Sequence, residues 1–392
     1  MRLLVSGGGT GGHVYPALSV IDSMRTAHSG LGTMTRASGS DALACGDDSL
    51  DLRWVGSRGG IEDKMVKSAG VEFIGLAAGG VRGMGLWTAL RNGAQILGSA
   101  VEAHRIVRSF RPDVVLVTGG YACVPVTLAA WAKRVPVLVY LPDIVPGLAI
   151  RVLSRLATSV AVTSDDSVRH LPRRRVVVTG YPVRPDFLKT DRAQACRLFS
   201  LDPTIATLLV FGGSRGARSI NQALVHGLPE LLPTCQVIHV SGDLDAPWVE
   251  EATQALPGRL RQRYQHYAYL TEMPAALVAA DLAVARAGAA TIGEFPAAGI
   301  PSILIPYPYS GQHQAHNARY MERHGAARVL ADNELQSKLV PAIEALLTDR
   351  HALGEMRAAT MALARPNAAA DIAQHARLLA RRTAREGIGG RR

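Results

Sequence analysis

The chain has 392 residues, a formal net charge of +11, 48% hydrophobic residues and 19% charged ones. Its length exceeds what one hydrophobic core ordinarily serves, and its composition excludes a disordered or heavily solvated polymer, so two globular domains are expected. The positive balance favours anionic partners, while aromatics at 5% give few stacking platforms, so no nucleic-acid partner is expected.

From the N-terminus, Leu3 to Val5 predicts a short strand, followed by the loop Gly7-Gly8-Gly9-Thr10-Gly11-Gly12-His13 and an apolar-periodic helix from Tyr15 to Met24. No signal-like apolar core precedes it, and nothing directs export. Thr33 to Leu50, rich in Ser, Gly and Asp, reads as a surface insertion. Further strands are expected at Leu52 to Val55, Val71 to Leu76, Val114 to Val117, Val135 to Val139 and Ser159 to Val162. The uncharged stretch Val114 to Ala132 is interrupted by Gly119-Gly120 and Pro125, which makes it strand, loop and helix start rather than a membrane span.

After Val176 to Gly180 the pattern restarts. Ala206 to Phe211 predicts a buried strand, Gly212-Gly213-Ser214-Arg215-Gly216 a second glycine loop, and Ala217 to Leu224 the helix it opens. Strands at Val237 to Val240, Leu282 to Ala285 and Ser302 to Ile305 follow, and an Ala/Arg/Leu-rich helix from Asn367 to Arg385 closes the chain. Alternating strands and helices with two similar loops predict an α/β protein of two Rossmann-like, doubly wound domains facing across a cleft. Cys45, Cys123, Cys196 and Cys235 lack metal-ligand spacing and read as reduced thiols.

The first loop has the physics of an anion cradle: glycines let the backbone approach a ligand, and the helix that follows supplies free N–H groups at its positive end. The same residues would also make a tight strand-to-helix turn. An imidazole at that helix N-terminus, as at His13, is pushed towards its neutral form, the state a general base needs. The second loop repeats the cradle with the Ser214 hydroxyl and the cations Arg215 and Arg218, and suits a diphosphate. Arg286-Ala287-Gly288-Ala289-Ala290-Thr291 forms a third small-residue turn that puts Glu294 about one turn inside a helix. There its carboxylate can take two ribose hydroxyls or simply complement the dipole. His313 and His316 stand at i, i+3 with no carboxylate or Cys beside them, so no metal is expected.

Gly8-Gly9-Thr10-Gly11-Gly12-His13, Gly119-Gly120-Tyr121, Gly212 to Ala217, Ala287-Gly288-Ala289 with Glu294, and His313-Gln314 with Asn317-Ala318 follow in the order of the MurG family, which the chain resembles over nearly its whole length. The resemblance implies a GT-B fold and an inverting, cofactor- and metal-independent transfer of N-acetylglucosamine from UDP-N-acetylglucosamine. The acceptor would be the 4-hydroxyl of undecaprenyl-diphosphate-linked N-acetylmuramyl pentapeptide, in peptidoglycan biosynthesis. It assigns residues 1–180 to an acceptor and membrane-associating domain, 181–365 to a donor domain, and 366–392 to a helix packing back on the first domain with a frayed tail.

On the donor side the resemblance places Glu294 on the ribose, Leu270 on uracil through its backbone, Arg184 beside the nucleotide, Ser214 and Ala289 on the diphosphate, and Gln314 with Asp143 on the sugar. On the acceptor side it places Thr10, Gly11, Gly12, Gly119, Gly120 and Tyr121, with His13 as catalytic base. Two departures stand out. The family's His-Glu-Gln-Asn is Tyr140-Leu141-Pro142-Asp143 here, and its Gly-Asn-Pro-Val-Arg is Gly180-Tyr181-Pro182-Val183-Arg184. A carboxylate at 143 accepts hydrogen bonds but donates none, which keeps open a related transferase with another lipid or glycoside acceptor, or a non-catalytic sugar-nucleotide binder.

The segment Arg82 to Arg111 interleaves Leu86, Trp87, Leu90, Ile96, Leu97 and Val101 with Arg91, Arg105 and Arg108, and Trp131 with Lys133-Arg134 adds to it. That pattern fits either a core helix with a solvated basic face or an anionic membrane surface. The resemblance selects the second, on the cytoplasmic side of the cell membrane and peripheral to it.

Overall fold

A computed structural model describes residues 1–9, 11–34, 49–76, 86–213, 217–309 and 313–389, without the side chains of 28–34, 86–97, 174, 188 and 383–389. The chain divides into two compact units. The first comprises 1–142, 146–182 and 367–392, and the second 143–145 and 183–366.

The first unit is built on seven strands: β1 (Arg2–Gly7), β2 (Asp51–Ser57), β3 (Glu72–Leu76), β4 (Val114–Gly119), β5 (Val137–Leu141), β6 (Ser159–Val162) and β7 (Val176–Val178). They pair in parallel in the order β3-β2-β1-β4-β5-β6-β7. Every residue of β4, β5 and β6 is buried, the mark of a parallel sheet covered on both faces, and explains why these strands read as continuous apolar runs. The covering helices are α1 (Gly11–Met34), α2 (Glu62–Ser68), α3 (Leu86–Phe110), α4 (Cys123–Ala132) and α5 (Leu148–Leu156). Val107 and Phe110 of α3 and Val126 and Ala130 of α4 pack on Val115, Val117, Val137 and Val139. The last helix, Ala368–Gly389, belongs to this unit: Arg377 donates to the Met24 carbonyl at 2.9 Å, and the His375 ring bonds the Ser159 hydroxyl at 2.8 Å.

The second unit carries β8 (Ala206–Phe211), β9 (Cys235–Val240), β10 (Tyr264–Tyr267), β11 (Leu282–Arg286), β12 (Ser302–Ile305) and β13 (Ala327–Val329), parallel in the order β10-β9-β8-β11-β12-β13. Both sheets therefore have doubly wound topology, and in each the strand order reverses beside the first strand, between β1 and β4 and between β8 and β11. Ligands of such sheets bind at that reversal, beyond the carboxyl ends of the strands. The two expected glycine loops begin there, at Gly7 and at Gly212.

Several limits differ from the sequence expectation. The first helix begins at Gly11 and runs on to Met34, and the helix after the second loop spans Arg218–Leu231 with Pro229 inside it. Edge strands β10 and β13 were not expected, because Tyr-Gln-His-Tyr lacks an apolar alternation and Ala-Arg-Val is three residues long. Most of the expected insertion, residues 35–48, lies outside the described residues.

Candidate functional site

In the first unit, Gly7 and Gly119 end adjacent strands as register partners, and Gly8 N–H donates to the Gly119 carbonyl at 3.0 Å. The Thr118 hydroxyl donates to the His13 carbonyl at 2.7 Å, and buried Trp54 donates its indole N–H to the Gly7 carbonyl at 3.0 Å. The first two bonds tie the glycine loop and the start of α1 to the end of β4 and the Gly119-Gly120-Tyr121 turn, and the third ties the loop to β2. His13 is the third residue of α1, and its ring lies over Gly119: a Cβ added there would stand 2.9 Å from two ring atoms. Gly119 also has φ +123°, a conformation glycine alone adopts without strain. Gly119→Ala is therefore expected to shift the imidazole and lower kcat at least tenfold, with a thermal midpoint several degrees below wild type, checked by steady-state kinetics and melting.

The expected acceptor-side residues Gly11, Gly12, Gly119, Gly120 and Tyr121 thus gather around one strand-order reversal, with Tyr121 53% exposed. Thr10 lies outside the described residues. The glycines of the loop divide by what surrounds them. A Cβ at Gly9 or at Gly213 would meet no protein atom within 4 Å, leaving room for a ligand, whereas one at Gly8 would strike the Glu62 carboxyl group at 2.2 Å. The sequence offered no way to tell these positions apart.

In the second unit, the Glu294 carboxylate pairs with Arg184 at 3.5 Å, and the two side chains are 12% and 18% exposed. Burial pushes the Glu294 pKa up, opposed by the Arg184 charge and hydrogen bond. The Arg184 guanidinium also lies 5.5 Å from the Phe187 ring. Glu294 stands in the first turn of helix Thr291–Ala298, whose entry through Ala289 and Ala290 follows the end of β11. Leu270 lies in the connection after β10 and is 6% exposed. Gln314 accepts at Oε1 from the Tyr307 N–H at 2.8 Å, which fixes its amide at the start of helix His313–Arg323. Ser214, with Arg215 and Gly216, lies outside the described residues.

Asp143 belongs to this unit. Fully buried Asn317 donates to its Oδ1 at 2.8 Å and to the Ala287 carbonyl at 3.1 Å, and accepts from Ile144 N–H at 3.1 Å. His313 bonds the Val145 carbonyl at 3.1 Å, so segment 143–145 is held at two points beside the Ala287 turn. Among the described residues, no three His, Cys, Asp or Glu side chains group as a metal site.

Two further networks reach beyond the motifs. Arg286, at the end of β11, donates to Asp332 and to the Ser219 hydroxyl and lies 5.4 Å from the Tyr307 ring, which ties β11 to the helix opened by the second loop. Asp332 is 46 residues away, beyond the reach of any local pattern. Asp245 accepts from Arg218 and Asn221, and Asn221 bonds buried His239, whose other ring nitrogen meets the Tyr264 hydroxyl at 2.7 Å. Burial lowers the His239 pKa to about 3, so the ring is neutral and anchors the helix behind the second loop.

Two family models match the chain, the glycosyltransferase family 28 N-terminal domain over residues 47–162 and the family 28 C-terminal domain over 207–375. A relative from Roseiflexus sp. (strain RS-1) is 42% identical over 95% of this chain and 94% of its own length. One from Desulforamulus reducens is 37% identical over 95% and 97%. Both are named UDP-N-acetylglucosamine--N-acetylmuramyl-(pentapeptide) pyrophosphoryl-undecaprenol N-acetylglucosamine transferase. The chain belongs to this family.

Solved structures agree on the fold. A crystal structure of MurG from Acinetobacter baumannii superposes with a TM-score of 0.73 at 23% identity, covering 96% of this chain and 99% of that one. A UDP-GlcNAc 2-epimerase from Neisseria meningitidis, bound to UDP-GlcNAc, gives 0.65 at 14% identity over 96% and 99%. The chain is thus a MurG-family glycosyltransferase with two Rossmann-like domains of the GT-B class. Where the family pattern has His, Tyr140 is 1% exposed; its hydroxyl bonds Thr163 at 3.0 Å and its ring meets the Tyr181 ring edge-on at 6.4 Å. Leu141 is 1% exposed as well. Tyr140, Leu141 and Tyr181 are therefore packed inside the first unit, whereas Asp143 joins the Asn317 network of the second.

Proposed function

We infer that this chain transfers N-acetylglucosamine, with inversion, from UDP-N-acetylglucosamine to the 4-hydroxyl of undecaprenyl-diphosphate-linked N-acetylmuramyl pentapeptide, a step of peptidoglycan synthesis. The observation that carries the reading is identity of 42% over 95% of the chain to a transferase of that name. In this reading the acceptor hydroxyl oxygen attacks the anomeric carbon as the bond to the UDP oxygen breaks. The bonding pair leaves on the diphosphate, and His13 takes the hydroxyl proton.

Glu294 holds the ribose hydroxyls, Arg184 flanks the nucleotide and the Leu270 backbone meets uracil. Ser214 and the turn at Ala289-Ala290 stabilise the leaving charge, as preorganised donors at a helix N-terminus do. Gln314 and Asp143 read the sugar; with Asn317 already donating to Asp143, the carboxylate is left to accept sugar hydroxyls. Gly11, Gly12 and the Gly119-Gly120-Tyr121 turn hold the acceptor diphosphate. Proton NMR of the disaccharide product tests the stereochemistry: a β-anomeric coupling is expected from the α-linked donor, and an α-coupling would overturn the single displacement.

The membrane reading rests on the outer faces of α3, α4 and α5. Val101, Leu128, Trp131, Leu148 and Val152 are between 42% and 79% exposed, and exposed Arg105, Arg108, Lys133, Arg134, Arg151 and Arg155 stand among them. Apolar side chains rimmed by cations suit an anionic leaflet, each cation contributing about 1 kcal/mol near the surface. The side chains of Leu86, Trp87, Leu90, Arg91, Ile96 and Leu97 lie outside the described residues, and among the described residues no helix is long and apolar enough to cross a membrane. In this reading the cation-rimmed apolar faces dock the chain peripherally, on the cytoplasmic side of the cell membrane.

A further inference from the structure

We propose that Glu62 is a positioning residue for the acceptor, one that sets which donors the first glycine loop presents. Glu62 opens α2 and is 0% exposed. Its Oε1 accepts from Ser57 N–H at 2.9 Å and its Oε2 from Gly9 N–H at 3.3 Å. Two glycines from two segments make room for it. A Cβ would lie 2.2 Å from the carboxyl group at Gly8 and 2.4 Å at Gly60. A carboxyl group is costly to bury, and here its hydrogen bonds go to the loop and to the end of β2.

The consequence lies in the direction of the loop. In a phosphate cradle the Gly9 N–H would point at the ligand; here it points inward at Glu62, on a residue with φ +85° and open space where a side chain would be. Glu62 thereby fixes Gly9 so that the donors presented outward are those that follow it, at the start of α1 next to His13. An acidic side chain buried beneath an anion-binding loop thus shapes the loop instead of meeting the anion.

The proposal rests on the reading that this loop faces the acceptor, and the test separates the two. Glu62→Gln keeps one accepting oxygen but turns an NH2 towards one of the two N–H donors. Because the Ser57 bond is the shorter, the Gly9 bond is the one lost. Steady-state kinetics with both substrates are expected to show the acceptor KM raised roughly tenfold, about 1.4 kcal/mol, with kcat and the donor KM near wild type. Glu62→Asp packs worse than Gln but retains both accepting oxygens, so it should bring the acceptor KM partway back, a rescue that loss of packing alone would not give.

Tyr121→Ala, measured in parallel, should raise the acceptor KM independently. A wild-type acceptor KM in Glu62→Gln, with Tyr121→Ala impaired, would overturn the role of Glu62 and leave the acceptor loop standing. A wild-type acceptor KM in both, or a raised donor KM in Glu62→Gln, would overturn the acceptor reading itself. Should Glu62→Gln fail to fold, Glu62→Asp decides alone: a raised acceptor KM at constant donor KM supports the proposal, and equal changes in both contradict it.

Discussion

Glu294→Gln should weaken UDP binding on the order of a hundredfold while leaving the thermal midpoint at neutral pH unchanged or raised. In the proposed role the loss follows from removing a charged acceptor for the ribose hydroxyls, since each hydrogen bond to a charged group is worth about 1.5–3 kcal/mol. The stability follows from the opposite side of the same burial. The Glu294 pKa in the folded chain lies above the ordinary value of 4.5, chiefly because the largely buried group is desolvated. Its contribution to stability is therefore complete below pH 4.5 and is lost as pH rises through the folded value, so at neutral pH the ionised group is a cost that an amide removes. Arg184 keeps its contact with the Phe187 ring in the variant.

The same shift gives a pH dependence. In the proposed role the ionised carboxylate is the stronger acceptor for ribose hydroxyls, so the donor KM should rise as pH falls through the raised Glu294 pKa, beginning above the range where an ordinary glutamate protonates. Calorimetric titration of UDP at a series of pH values checks both effects. A Gln variant that binds UDP like wild type, or that melts far below it, contradicts the role given to the pair.

His13→Ala should lower kcat by on the order of 10²–10⁴, the range expected for loss of a positioned general base, with the donor KM close to wild type. The imidazole is held over Gly119 and its main chain is fixed by the Thr118 hydroxyl, so alanine leaves the loop tied in place and removes the ring alone. If turnover persists at the wild-type rate, proton removal belongs to another group. If the donor KM rises instead, His13 acts on the nucleotide sugar.

Both glycine loops were legible in the sequence because each follows a short apolar strand immediately, at Gly7 and at Gly212; that each lies at a strand-order reversal emerges only from the pairing of the strands. Edge strands β10 and β13 were not, since a polar tetrad and a three-residue strand give no periodic signal. Of the candidate residues, His13 of the first unit and Glu294 and Arg184 of the second were named from their places in motifs. Glu62 was not: Gly8 and Gly9 look alike in the sequence, and what separates them is a carboxyl group more than fifty residues away in a seven-residue helix. Arg286 was visible as part of a motif, but its partner Asp332 arrives only through the pairing of β11 with β12 and the turn that follows β13. Asp143 showed only as a departure from a pattern, and its hydrogen bond to Asn317 ties it to the second unit.

Transfer of label from UDP-N-acetylglucosamine to a panel of acceptors measures the proposed activity directly. The panel holds a short-chain lipid diphosphate carrying N-acetylmuramyl pentapeptide, the same lipid diphosphate carrying other sugars, and simple glycosides. Label should appear in the muramyl lipid, with little in the others. Hydrolysis of the donor without that product, or faster transfer to another acceptor, would contradict the assignment.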